Sequence, residues 1–329
     1  MTRPAPDPHV LPSVAAVRAA ADRLRGVLEP SRLIRANALS DTFGVDVFYK
    51  CEFENPTGSF KVRGAYNVLA SMTPEDRAKG VVASSAGNHG LGVAYAAHAF
   101  GVPAMLFVPS TAPQVKKDGI RALGATVDES APDYDAAMVV AKMHGERHGI
   151  RFINPCVGID LLAGQGTVAL ELLEQCPDVA TVVICTGGGG LLGGMGVVLR
   201  ELAPNARILG AQSVETAAMT RSVAAGHVVP IASTPTLADG LAGLIDEDGL
   251  HIGQYCADDM VLVSEAELGE TIAWLWRTDG FVIEGAGAVT VAALRHGKIK
   301  SVQAPIVLLL SGRNIDASKH TALLDRYPI

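Results

Sequence analysis

The sequence predicts an α/β protein of two domains, each an open twisted sheet with helices packed on it. Three observations point there. Apolar runs such as Thr181-Val-Val-Ile and Ile306-Val-Leu-Leu-Leu lack the polar alternation of half-exposed strands, as strands buried on both faces do. Such runs alternate with helical patterns along nearly the whole chain. At 329 residues the chain is also long for a single core.

Taken in order, residues 1–10 hold three prolines and are expected to be disordered. Val14 to Leu28 has helical spacing, which Pro30 ends. A strand at 45–51 leads into Asn55-Pro-Thr-Gly-Ser-Phe-Lys-Val-Arg-Gly and a helix through Met72, with Ser59 placed to cap it. Strands are then expected at 81–84, 104–108 and 126–127, with helices at 90–100, 113–123 and 134–148 between and after them. A second series follows, with strands at 152–154, 181–185 and 207–211 and helices at 164–175, 191–202 and 216–225. Residues 226–254 read as irregular, before a strand at 260–263 and a helix at 265–276. A helix at 285–295, a strand at 306–310 and a last helix through Leu324 close the chain.

Composition narrows the function. Hydrophobic residues make up 49% of the chain and aromatics only 5%, so small aliphatic side chains fill the core. The net charge is −7 and basic residues are scattered, which argues against a nucleic-acid partner. Five cysteines, at 51, 156, 176, 185 and 256, form no C-x-x-C pair and suit a reducing compartment, the cytoplasm, more than disulfides or structural zinc. Thr181–Leu199 is uncharged and long enough to span a bilayer, but 7 of its 19 residues are glycine, so strand, loop and helix are expected instead of a membrane segment.

The chemistry concentrates in four loops at strand ends, where open α/β sheets bind ligands. Lys61 sits in the first turn of a predicted helix between Phe60 and Val62. The helix N-terminus and the apolar neighbours both disfavour an ammonium there, pushing its pKa down toward a nucleophilic amine. Alone, it would read as a surface lysine. Thr186-Gly-Gly-Gly-Gly-Leu-Leu-Gly-Gly can converge several backbone N–H groups on a phosphate. Gly188, Gly190 and Gly193 match G-x-G-x-x-G, yet the following strand ends in Gln212 rather than an acid for a ribose, which disfavours a dinucleotide. Ser84-Ser-Ala-Gly-Asn-His-Gly can hold a carboxylate on its amides, with Asn88 donating to an oxygen; on its own it is a capping turn. Ser311-Gly-Arg-Asn presents a hydroxyl at a strand end. Phosphate, aldehyde, phenolic oxygen and ring nitrogen are the four handles of pyridoxal 5′-phosphate (PLP).

Seven segments carry a family resemblance: Gly58-Ser-Phe-Lys-Val-Arg-Gly-Ala, Ser85-Ala-Gly-Asn-His-Gly, Ala163-Gly-Gln-Gly-Thr, Gly187-Gly-Gly-Gly-Leu, Leu237-Ala-Asp-Gly, Glu284-Gly-Ala-Gly-Ala and Ser311-Gly-Arg-Asn-Ile-Asp. Together they resemble the serine/threonine dehydratase family of tryptophan-synthase-β-like PLP enzymes, over residues 12–320. The resemblance implies a small domain, 46–149, inserted in a large one, 1–45 and 150–329, with PLP between them. It implies that Lys61 holds the cofactor as a Schiff base beside Phe60. Asn88 would meet the ring oxygen, Gly187, Gly188, Gly189, Gly190 and Leu191 the phosphate, and Ser311 the pyridine nitrogen. Ser84, Ser85, Ala86, Asn88 and His89 would take the substrate carboxylate. Where relatives bind a divalent cation through acids, this chain has Gln212 and Ala218, so no metal is expected. The chain lacks the regulatory domain of biosynthetic relatives, so isoleucine feedback is not expected. A homodimer or homotetramer is.

The expected reaction is loss of the β-hydroxyl from a small amino acid such as threonine or serine, giving a 2-oxo acid and ammonia. Lys61 would take the α-proton. A neutral Ser311 makes the ring a weaker electron sink than an aspartate would, which favours elimination over a long-lived carbanion. Family members that racemise carry serine immediately before Gly-Asn-His, where this chain has Ala86. Phenylserine, hydroxyaspartate and a hydroxyectoine-pathway intermediate remain as alternative substrates, racemisation or β-replacement as alternative reactions, and a ligand-binding regulator as an alternative class.

Overall fold

The computed structural model describes residues 3–232 and 234–328. Along the chain lie α1 (Val14–Leu24), β1 (Leu33–Arg35), α2 (Asn37–Phe43), β2 (Val47–Lys50), α3 (Lys61–Ser71), α4 (Pro74–Ala78), β3 (Val81–Ser84) and α5 (Asn88–Phe100). Next come β4 (Ala104–Pro109), α6 (Gln114–Ala122), β5 (Thr126–Ala131), α7 (Tyr134–His148), β6 (Arg151–Phe152), α8 (Ile159–Gln175), β7 (Thr181–Cys185), α9 (Gly190–Leu202) and β8 (Arg207–Ser213). The chain ends with α10 (Ala218–Ala225), α11 (Glu247–Cys256), β9 (Asp259–Val263), α12 (Glu265–Asp279), α13 (Gly285–Arg295), β10 (Ile306–Leu309) and α14 (Ala317–Arg326).

Two sheets form, as expected. The larger has the order β1-β2-β10-β7-β8-β9 and the smaller β5-β4-β3-β6. Every pairing is parallel except β1 with β2. In the larger sheet Leu308 lies opposite both Tyr49 and Val183, and Val183 opposite Leu209. Their side chains are fully buried, which explains strands apolar on both faces.

The strand order positions the site. Because β2, β10 and β7 are neighbours, the loops after their carboxyl ends emerge side by side: the Lys61 loop, the Ser311 loop and the glycine loop. The Ser84–Gly90 loop follows β3 of the smaller sheet and meets the Ser311 loop through Asn88, which accepts from Asn314. Helix α8 fixes the distance between α3 and α9. A methyl group on Gly164 would lie 2.6 Å from the Arg63 carbonyl, and one on Gly166 would lie 2.6 Å from that of Gly194. Both helices therefore press their backbones against α8.

Several expectations need correction. The strand at 47–50 belongs to the larger sheet and β6 to the smaller, so the smaller sheet runs over Val81–Phe152. Residues 3–10, expected to be disordered, are tied down: Arg3 pairs with Asp258 at 2.5 Å, and the Asp7 amide donates to His251 Nε2 at 3.1 Å. Met1 and Thr2 lie outside the described residues. Helices α2, α4 and α11 were not expected, the last inside a segment read as irregular. Among the described residues no helix is long and apolar enough to cross a membrane.

Candidate active site

Lys61 is the first residue of α3, in the helix turn where the sequence places it. Phe60 before it already has helical backbone angles, φ −61° and ψ −20°, so Ser59 does not cap the helix. The Ser59 hydroxyl is buried without a hydrogen-bond partner, while its backbone bridges Gly312. The Phe60 amide donates to the Ser311 carbonyl at 3.1 Å, and the Arg313 amide to Gly58 at 2.9 Å, which stitches the Lys61 loop to the Ser311 loop. Lys61 Nζ lies 5.2 Å from the centre of the Phe60 ring and donates to the Pro155 carbonyl at 2.7 Å.

Pro155 leads to the glycine loop. Cys156, the next residue, packs on it so closely that a methyl group on Gly188 would come within 2.7 Å of its Sγ. Gly189 has φ +104°, a conformation that glycine alone adopts without strain. Helix α9 begins at Gly190, and the first amides of a helix have no intrahelical acceptor. Residues 187–191 thus present bare backbone N–H groups with the positive end of a 13-residue helix behind them. At the opposite end, Ser311 is buried, and its hydroxyl reaches the Ala286 carbonyl only at 3.4 Å. Cys185 lies beside it, its thiol pushed up to about 11 by burial, so the thiol itself carries no charge.

Asn88 opens α5 and links the two sheets. Its Nδ2 donates to Glu284 at 2.7 Å, and its Oδ1 accepts from Asn314 at 2.7 Å. The rest of the carboxylate loop divides. Ser85 Oγ accepts from the Gly87 amide at 3.1 Å, and Ala86 is half-buried beside it. Ser84 is the last residue of β3, and its hydroxyl is buried without a partner. His89 is buried as well, with Nε2–H donating to the Ile153 carbonyl at 3.0 Å. Burial and the neighbouring Lys61 push its pKa down to about 3, which keeps the ring neutral. The side chains of Ser84 and His89 are therefore both buried. At the position where the family resemblance led to the expectation of no metal, Gln212 spends its amide on the Thr216 carbonyl (2.7 Å) and on Thr220 (2.9 Å to N, 2.7 Å to Oγ1).

A second polar network lies behind α3. Arg63 Nε donates to Glu52 at 2.7 Å and Nη1 to Glu171 at 2.5 Å, while Lys50 pairs with Glu171 at 2.8 Å. Burial would raise the Glu52 carboxyl, but Arg63 and Lys50 together hold it below the usual carboxylate range.

Sequence reasoning missed Glu284 and Asn314 as site residues, although both fall in quoted motifs. Glu284 precedes α13, where an acid reads as an N-cap. Its side chain makes no cap hydrogen bond and turns to Asn88 instead. Nothing in the sequence signals that turn.

An amine, a bare phosphate-binding loop, an amide and a neutral hydroxyl converge from four strand ends, and they fit a phosphorylated pyridine aldehyde. Such an arrangement defines an α/β enzyme of PLP chemistry. The family model described as pyridoxal-phosphate dependent enzyme matches residues 24–312, so the chain belongs to that family and PLP is its cofactor. L-threonine ammonia-lyase from Geobacter sulfurreducens is 36% identical over 94% of this chain and 77% of its own length. The catabolic L-threonine dehydratase of Escherichia coli K12 is 35% identical over 91% of this chain and 92% of its own. Among solved structures, threonine deaminase isoform 2 of Solanum lycopersicum superposes with a TM-score of 0.87 at 32% identity, covering 99% and 94% of the two chains. Maize serine racemase gives 0.90 at 29% identity, covering 96% and 98%.

Proposed function

We propose that this enzyme removes the β-hydroxyl of L-threonine or L-serine, releasing a 2-oxo acid and ammonia. The observation that carries the reading is Lys61, an amine in the first turn of α3, together with a carboxylate loop whose residue before Gly-Asn-His is Ala86, a side chain with no proton to give. The Ser85 hydroxyl is turned onto the Gly87 amide, and Ala86 stands at the position the family resemblance gives to the racemising serine. The names of the two bacterial relatives support the same substrate class. PLP supplies an aldehyde for the substrate amine and a ring that withdraws electrons from the α-carbon. The protein does the rest. Lys61 Nζ takes the α-proton, the amides of Gly187–Leu191 hold the phosphate, Phe60 packs beside the ring, and Asn88 donates to its oxygen. Ser311 offers a neutral hydroxyl to the ring nitrogen, which limits charge delocalisation and favours departure of the hydroxyl. The amides around Ser85, Ala86 and Asn88 take the substrate carboxylate. We place the enzyme in the cytoplasm as a homodimer or homotetramer. All five cysteines are free, which supports the compartment.

A screen of β-hydroxy amino acids for ammonia and 2-oxo acid, with chiral analysis of residual serine, tests this. Threonine or serine should be consumed fastest. Preference for phenylserine or hydroxyaspartate would move the substrate, and D-serine forming as fast as pyruvate would overturn elimination as the main reaction.

A further inference from the structure

We propose that Glu284 is a positioning residue for Asn88. Its carboxylate and the Asn314 amide together fix the rotation of the Asn88 side chain, leaving one N–H free for the cofactor. The inference rests on the PLP reading of the site.

The orientation follows from one backbone carbonyl. The Thr57 carbonyl can only accept, and an Asn314 amide atom lies 2.8 Å from it, so that atom is Nδ2. The same Nδ2 lies 2.7 Å from Asn88, so the Asn88 atom it meets is Oδ1. Asn88 Nδ2 must then face the other way, where Glu284 Oε1 accepts one of its hydrogens at 2.7 Å. A flipped Asn88 would set Nδ2 against the donating Asn314 and Oδ1 against the carboxylate, breaking both bonds. Without Glu284 only half of that lock remains. The carboxylate itself has little freedom: a methyl group on Gly312 would lie 2.2 Å from Oε1, and Glu284 makes no cap bond to its own helix.

Charge shapes the same contact. Glu284 is buried; Asp239 of the short helix 239–241 faces it, Lys116 comes from α6, and the thiol of Cys185 on β7 lies near. Burial and Asp239 push the carboxyl up to about 7, against the pull of Asn88 and Lys116. Above that pH the carboxylate is an acceptor only; below it, the carboxyl carries a proton and is a weaker acceptor for Asn88.

The test is a double-mutant cycle on PLP affinity, read by fluorescence titration of the apoenzyme. Asn88→Ala and Glu284→Ala should each weaken PLP binding by roughly ten- to a hundredfold, the range for losing a hydrogen bond to a charged group. The double variant should bind no worse than Asn88→Ala alone, because Glu284 acts through Asn88. Additive losses, or unchanged affinity in Glu284→Ala, would overturn the proposal. Should Glu284→Ala fail to fold, Glu284→Gln and Asn314→Ala carry the test. Glu284→Gln should remove an inflection near neutral pH from the absorbance of bound PLP, and Asn314→Ala should weaken PLP binding in the same sense. Persistence of that inflection, or no effect of Asn314→Ala, counts against it. A wild-type protein that takes up no PLP would sink the cofactor reading itself, a distinguishable failure.

Discussion

Two polar networks flank Lys61. They are built from similar groups and differ in how they balance charge. Behind α3, Lys50 and Arg63 neutralise Glu52 and Glu171 at hydrogen-bonding distance, and Ser31 and Thr167 add further bonds. In front, Glu284 meets two amides and an acid, and Lys116 is the cation that pulls its carboxyl down. Both carboxyls are buried, yet Glu52 is held below its ordinary range and Glu284 is lifted to about 7. Burial alone therefore does not decide what a carboxyl does; its partners do. The closed network is an anchor for the helix that carries Lys61. The open one has capacity left over, and it lies at the Asn88 loop.

The sharpest test of this division removes the residue between the networks. Lys61→Ala should abolish elimination and the visible absorbance of bound PLP, since the loss of a general base alone is worth roughly 10²–10⁴-fold. Neither network includes Lys61, so the thermal midpoint should stay near wild type. A variant that keeps a borohydride-reducible adduct would assign the cofactor to another lysine.

Arg63→Met attacks the anchor. It leaves Glu52 buried without its cation, a change that typically costs about 3–5 kcal/mol. Chemical denaturation should show a loss of that order. A loss below about 1 kcal/mol would mean that the cluster reorganises and is no anchor.

The networks should also respond oppositely to pH. Glu52, with its folded pKa lowered from 4.5, contributes stability that is present above that value and lost as pH falls through the folded pKa. Glu284 is raised from 4.5 to about 7, so between those values the folded state keeps a proton the unfolded chain has released. Its contribution therefore turns unfavourable as pH rises through that window, by at most about 3 kcal/mol. Glu284→Gln should gain stability relative to wild type near pH 8, and the gain should shrink toward pH 5. A gain independent of pH would show that Glu284 does not titrate there.

The smallest effect concerns the loop that the Asn88 network holds. Ala86→Ser should raise racemisation of L-serine from trace to measurable while elimination still dominates. No D-serine above the wild-type level would mean that the hydroxyl does not reach the α-carbon.

Much of this was legible in the sequence. Strand β7 and helices α7 and α13 have the bounds that their patterns predict, because buried strands and alanine-rich helices leave little ambiguity. The Lys61, glycine and Ser311 loops were legible because their chemistry is local: a lysine in a first helical turn, four glycines in a row, a hydroxyl at a strand end. What escaped was non-local. Helix α11 contains Gly249 and Gly253, which lower its helix propensity. A methyl group on Gly253 would lie 2.5 Å from Met219 Sδ, so close packing requires the residue that hides the helix. Ser84 and His89 looked like ligands by position, and only the tertiary structure shows their side chains turned into the interior. Glu284 looked like a cap.

Helix α8 carries a consequence of its own. Gly164 and Gly166 set how near the Lys61 helix α3 and the glycine-loop helix α9 can stand. A single added carbon on this rail would push against the Lys61 helix or the glycine-loop helix. Substrate preference can drift through the loop on the smaller sheet, whose residues Ser85 and Ala86 are only half-buried. The gauge between the two helices cannot drift with it. Redesign of this enzyme should therefore treat α8 as fixed track and the carboxylate loop as the part to exchange.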